Sequence, residues 1–252
     1  MSRQPSPFLL AHARLSAGPR SVTPVRCLPL LLLLAASACA VRGLEPQHDA
    51  HRSHDCRSGD VRVDGGTTED ALIVCAAAHS VSAFFRNIGL SRTAAITVLL
   101  VDTMPSANGD NVLGCFNPED AQVTVLSLRA ASDRGRWLGQ SIDRTLYHSL
   151  VAHEIAHALA WCNAPGNTLS VRASEYVAYV VMFATMEPGR REAILADAPG
   201  VSFDREGEIS ETFYYLAPSQ FGIAAYRHYL RPENGARFLR AVLSGAALPA
   251  VD

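Results

Sequence analysis

The chain has 252 residues, a formal net charge of -2 and 48% hydrophobic residues. That is enough apolar material for one domain with a real core behind an N-terminal leader. The near-neutral charge and the absence of a basic cluster exclude a nucleic-acid-binding surface. All 22 basic residues are Arg, a bias of genome composition rather than a functional signal.

Met1 to Arg26 carries Arg3, Arg14, Arg20 and Arg26, and Cys27 to Ala38 (CLPLLLLLAASA) is an apolar run. The run falls short of the roughly 20 residues that span a bilayer. A basic n-region, a short apolar core and small residues at its end read as a signal peptide over 1–40. Two cleavage readings stay open. Ala36-Ser37-Ala38-Cys39 is a lipobox with Ala in place of the usual Leu, and Ala-x-Ala sites end at Ala38 or Ala40. The product is exported, to the periplasm, to a lipid anchor at Cys39 or to the medium. Membrane attachment is expected only through that anchor.

Residues 41–59 are polar, with His48, His51 and His54 at three-residue intervals, and read as a flexible linker. Residues 60–252 then form a single domain. Past the leader four cysteines remain, Cys56, Cys75, Cys115 and Cys162. An even count in an oxidising compartment predicts two disulfides with three possible connectivities. The preferred pairing is Cys56–Cys75 and Cys115–Cys162.

Thr67 to Asn87 is an amphipathic helix with an acidic start, and Ile96 to Val101 is a β-rich central strand. Met104 to Cys115, with Pro105 and Asn108-Gly109, reads as a loop. Gln122 to Leu128 (QVTVLSL) is a second strand.

No Pro or Gly interrupts Ile142 to Cys162, so the spacing predicts a helix of about five turns. It contains His153-Glu154-Ile155-Ala156-His157. Residues four apart on a helix differ by only about 40°, so His153 and His157 can offer imidazole nitrogens to one metal ion. Glu154, about 100° round, can reach a water activated by that ion without being a ligand. His148 falls on the core-facing side, and Trp161 packs beside the site. After a turn at Asn163 to Thr168, Leu169 to Met186 is a second helix, and Glu175 is the one charge in its largely apolar run from Ala173 to Met186. A lone carboxylate on an apolar helix wants a partner, and a metal is a good one. Beyond Met186 the Pro-Gly punctuation predicts helices at 189–196, 209–216, 219–230 and 232–244.

HExxH followed by a Glu 18 positions later resembles the gluzincin class of zinc metallopeptidases, a His₂Glu site. Glu175-Tyr176-Val177-Ala178 is similar to the Glu-x-x-Ala stretch of several gluzincins. The thermolysin-like branch has an Asn before the Glu and an Asp four residues after it. Here Ser174 and Tyr179 stand at those places. The likeness covers His153 to Tyr179, and the whole is similar to exported bacterial families without an assigned role.

The resemblance implies an α+β, zincin-like fold: a small sheet, with strands near 96–101 and 122–128, packed on the HExxH helix, and a mainly helical C-terminal half. It implies one Zn²⁺ held by His153, His157 and Glu175, with Glu154 as general base in the hydrolysis of a peptide or protein substrate. It also implies a substrate-pairing sheet edge somewhere in Gly114 to Leu128. A Tyr or His from the helical half would face the oxyanion, the candidates being Tyr179, Tyr215 and His228. The competing reading is a non-catalytic exported protein that binds zinc or a partner on the same scaffold.

Overall fold

The computed structural model describes residues 53–57, 60–93, 95–105 and 112–249. The expected signal peptide, Cys39 and the linker histidines His48 and His51 lie outside the described residues. The described residues belong to one compact unit, an α+β arrangement of a small mixed sheet and a larger helical part.

The sheet is built from β1 (Ser53–Asp55), β2 (Val61–Asp64), β3 (Ile96–Val101), β4 (Gly114–Asn117) and β5 (Gln122–Leu126), in the order β1-β2-β3-β5-β4. β2, β3 and β5 run parallel, and β1 and β4 flank them antiparallel. Side chains alternate between the faces of a strand. Ile96, Val98 and Leu100 of β3 are buried while Thr97, Leu99 and Val101 are half-buried. The register continues the buried row across β5 as Val123 and Val125, and onto β4 as Phe116 and Gly114. That row faces the helices.

β1 corrects the expected boundary of the linker, because Ser53–Asp55 pairs with β2 rather than leading freely into the domain. Backbone pairing needs no apolar side chains, so the polar Ser-His-Asp string gave no strand signal. The next residue, Cys56, is bonded to Cys75 with its Cα atoms 5.3 Å apart. That link ties the hairpin to α1 (Thr68–Asn87) as expected. α1 follows a Gly65-Gly66 turn with φ of +84° and +65°. A Cβ on Gly65 would stand 2.7 Å from the Leu100 carbonyl oxygen, so the turn requires glycine there. Thr67 and Asp70 cap α1 reciprocally, and the other Asp70 oxygen accepts the Leu128 N–H at 2.9 Å. One buried carboxylate thereby joins the start of α1 to the start of α2 (Leu128–Asp133).

The expected second strand stops at Leu126 because Ser127 caps α2 through the Ala130 N–H. A two-residue hairpin, β6 (Arg136–Trp137) and β7 (Gln140–Ser141), follows. Then comes α3 (Arg144–Asn163), capped by Asp143, and after the Pro165-Gly166 turn α4 (Val171–Thr185), capped by Ser170. α3 packs most extensively on α4 and α1. Every residue of α4 from Tyr176 to Phe183 is buried, and each large side chain there contributes roughly 1.5–3 kcal/mol. The C-terminal helices are α5 (Pro188–Ala196), α6 (Glu211–Leu216), α7 (Pro218–Tyr229) and α8 (Gly235–Leu243), close to the expected ranges. Among the described residues no helix is long and apolar enough to cross a membrane.

The expected Cys115–Cys162 bridge is absent. On β4 the residues on either side of Cys115 turn toward α3: the Cβ position of Gly114 meets Glu154, and Phe116 meets Trp161. Strand alternation therefore directs Cys115 to the opposite face of the sheet, away from Cys162 on the helix.

Thiol counting tests both statements. The chain from residue 47 onward holds four cysteines, and two should titrate with a thiol reagent after unfolding without reductant, against four with it. Replacing Cys56 and Cys75 by Ser should lower stability in urea by about 3 kcal/mol, since the bond closes a loop of 19 residues.

Candidate metal centre

The site is assembled by α3 and α4, with one wall from the sheet. His153 and His157 lie one turn apart on α3, and their Nε2 atoms are 3.2 Å apart. Glu175, one turn into α4, places one carboxylate oxygen 3.5 Å from the His153 Nε2 and the other 3.6 Å from the His157 Nε2. A tetrahedral ion with bonds of 2.0–2.1 Å needs donor atoms about 3.3–3.4 Å apart, so these spacings are those of ligands around one cation. The three residues form a group able to hold a metal ion. All are largely buried, and the Glu175 Oε2 has no hydrogen-bond partner. A buried carboxylate oxygen without a donor is expensive, and a cation at the point of convergence would supply the missing partner.

The electrostatics agree. Burial opposes charge on every member, yet Glu175 is held below the usual carboxylate range because the imidazoles of His157 and His153 outweigh that penalty. His153 is raised: burial works against it, but the Glu175 carboxylate and the charge of Glu154 prevail. His157 is pushed down to about 4, by burial first and by its charged neighbour His153. Of the two imidazoles, only that of His153 can readily take a proton. Glu154 faces the same cleft and is pushed up to about 7, chiefly by burial.

The supporting contacts are specific. The Nδ1 of His157 is 2.8 Å from the Ser174 hydroxyl, which holds the ring plane. Ser174 thus takes the supporting role that the replaced Asn and Asp positions left unassigned. His153 is held by aromatic rings, Tyr179 at 4.5 Å and Trp137 at 6.4 Å between centroids. Tyr179 reaches that position because α7 has glycine beneath it: a Cβ on Gly222 would lie 2.2 Å from the Tyr179 ring. Trp137 is presented by the β6–β7 turn, where Leu138 and Gly139 both have positive φ, 52° and 74°. Two-residue hairpins demand that conformation, and Leu138 adopts it while its side chain is buried.

Glu154 sits under the sheet edge. A Cβ on Gly114 would come within 2.7–2.9 Å of the Glu154 Cγ, Cδ and Oε1. Gly114 therefore lets β4 pass directly over the carboxylate. β4 is the last strand of the sheet, and no described residue pairs with its outer edge. Between β4, α3 and the start of α4 lies an open cleft of about 540 Å³.

The remaining sequence candidates separate. Trp161 lines the cleft as expected, and His148 is lowered by burial and packs against α1 near Ala76. Tyr179 is buried behind His153. Tyr215 is 66% exposed and turned away from the cleft. His228 is buried and hydrogen-bonded through Nδ1 to the Tyr176 hydroxyl at 2.8 Å, in a core contact with Phe238. The tyrosine that does line the cleft is Tyr214, which interacts with the Glu175 carboxylate. Burial and that carboxylate both keep its phenol protonated. Adjacent positions on a helix point about 100° apart, so Tyr214 and Tyr215 cannot both face the site. The sequence carried no signal for choosing between them.

A family model matches residues 61–252, from the first residue of β2 onward. The chain belongs to DUF6639, a family of unknown function. The match includes β4, α3, α4 and α6, hence every residue that lines the centre of this DUF6639 chain. No curated protein and no solved structure matches it.

Metal titration checks the donor set. The purified chain should bind one divalent transition ion and gain thermal stability from it. Ser174→Ala should weaken affinity about 10- to 100-fold, and Glu175→Ala by more than that. Unchanged affinity in Glu175→Ala, read by calorimetry against a chelator, would remove Glu175 from the centre.

Proposed function

We propose that this DUF6639 chain is an exported, zincin-like metallopeptidase of gluzincin type, binding one Zn²⁺ through His153, His157 and Glu175. The observation that carries the reading is a three-donor cage with a carboxylate beside it and a sheet edge passing over that carboxylate. Two imidazoles and one carboxylate suit zinc, and a three-donor set leaves a position open for substrate or water. When bound, the ion supplies Lewis acidity, acidifying a water and polarising a carbonyl.

The protein's own groups do the rest. An extended peptide adds to β4 by backbone hydrogen bonds, which places its carbonyls along the cleft over α3. Glu154, pushed up to about 7 by burial, is matched to taking a proton from the attacking water near neutral pH and giving it to the departing amine. Tyr214, protonated and at the cleft wall, donates a hydrogen bond to the oxyanion that develops on the carbonyl. Export is supported by the N-terminal apolar run and by the Cys56–Cys75 disulfide.

Zinc-loaded Glu154→Gln should keep its metal and lose about 10²–10⁴ of kcat on a generic protein substrate such as casein. Tyr214→Phe should lose about 10²–10³ in kcat with KM nearly unchanged, whereas Tyr215→Phe should behave as wild type. Full activity in Glu154→Gln would remove it as the base. A zinc-loaded wild type that cleaves no peptide would leave the non-catalytic binding protein as the better account.

A further inference from the structure

We propose that the cleft contains a side-chain pocket, formed by Phe116 and Trp161, that selects substrates with an uncharged aromatic or branched aliphatic residue within two positions of the bond cleaved. The inference rests on the peptidase reading and adds a substrate class to it.

The pocket follows from the alternation of β4. Gly114 and Phe116 are two residues apart and turn to the same face, toward α3. Gly114 marks the position of Glu154. Phe116, about 6.8 Å further along the strand, meets the ring of Trp161 edge-on with centroids 6.0 Å apart. Trp161 stands one helical turn beyond His157, so it borders the donor set directly. A peptide laid along the outer edge of β4 shares its pleat, and every second side chain turns toward α3. If one of these lies over Glu154, the next reaches the angle between the Phe116 and Trp161 rings.

The walls there are apolar, with Leu169 and Val171 completing them from the start of α4. Val171 is 38% exposed, so this surface is open to solvent rather than sealed in the core. Among the described residues that line the cleft, the carboxylates and imidazoles belong to the centre, Cys115 and Tyr214 add a thiol and a phenol, and there is no Arg. An acidic side chain would lose its water at the ring pair without meeting a cation, and a basic one would meet no acid there. A neutral aromatic or branched residue buries apolar surface against both rings and leaves no polar group unpaired.

The test uses the zinc-loaded full chain carrying Glu154→Gln, which separates binding from turnover. Blocked Gly/Ala hexapeptides, each with Phe, Leu, Ala, Asp or Lys scanned through the positions, are measured by calorimetry. Phe or Leu at one position should bind at least about tenfold tighter than Ala or Asp there. Trp161→Ala in the same background should shrink that gap to less than about threefold. Equal affinities across the panel, no binding by any peptide, or an undiminished preference in Trp161→Ala overturns the pocket. Should Trp161→Ala lose its helical circular dichroism, Phe116→Ala replaces it with the same expectation. Cleavage by wild type is scored separately. Selective binding without cleavage would sink the hydrolytic reading and keep the pocket, while cleavage with no positional preference would do the reverse.

Discussion

The constraint on which the rest of this molecule depends is the burial of a carboxylate between two imidazoles. Glu175 sits on a helix whose following residues form the centre of the core. One of its oxygens has no hydrogen-bond donor. Left alone, such a group is costly to desolvate; the imidazoles of His157 and His153 outweigh that penalty, although burial opposes their own protonation. A divalent cation would remove the conflict. It would let both imidazoles stay neutral and give each carboxylate oxygen a positive neighbour. Binding an ion there would couple the packing of α3 on α4 to it, and the fold would gain stability.

The sheet is arranged around the same point. Three parallel strands present their apolar row to α1 and α3, and the antiparallel β4 is added where α3 carries its HExxH turn. Glycine at position 114 is what permits contact between strand and carboxylate. Any side chain there would push Glu154 out of the cleft or lift the strand from the helix. A pairing edge and a proton acceptor are thus brought together by one missing Cβ.

Much of this was legible in the sequence, and the parts that were not share a physical reason. The metal donors follow from a helical period and a lone charge on an apolar helix, both local patterns. The Cys56–Cys75 bond could be preferred because it links adjacent segments across a short loop. β1, β2 and β4 have three or four residues each, too short for a periodicity to mark, and they are defined by the strands they pair with. The Cys115–Cys162 expectation placed the right segments together, since β4 does pack on α3. It failed on strand parity, a one-residue property that turns a side chain to the opposite face. Tyr215 is exposed while Tyr214, a single step around the same helix, lines the cleft, and His228 is hydrogen-bonded to Tyr176 in the core. Sequence periodicity locates elements. It does not phase a six-residue helix such as α6 against a cleft built elsewhere.

The same constraint bears on the choice between enzyme and inert scaffold. A structural cage needs its donors, but nothing in ligation requires a carboxylate at 154. Holding Glu154 ionised in its buried place is costly, since burial pushes its pKa up to about 7. A leucine of similar volume would remove that penalty and would pack on α3 and β4. Gly114 adds to the cost, because a glycine in a strand interior weakens the strand relative to almost any other residue. Two unfavourable choices, one on the helix and one on the strand above it, meet at the same three atoms. Stability explains neither. Both choices support the proposed role of Glu154 as a proton acceptor between the candidate metal centre and a backbone paired to β4.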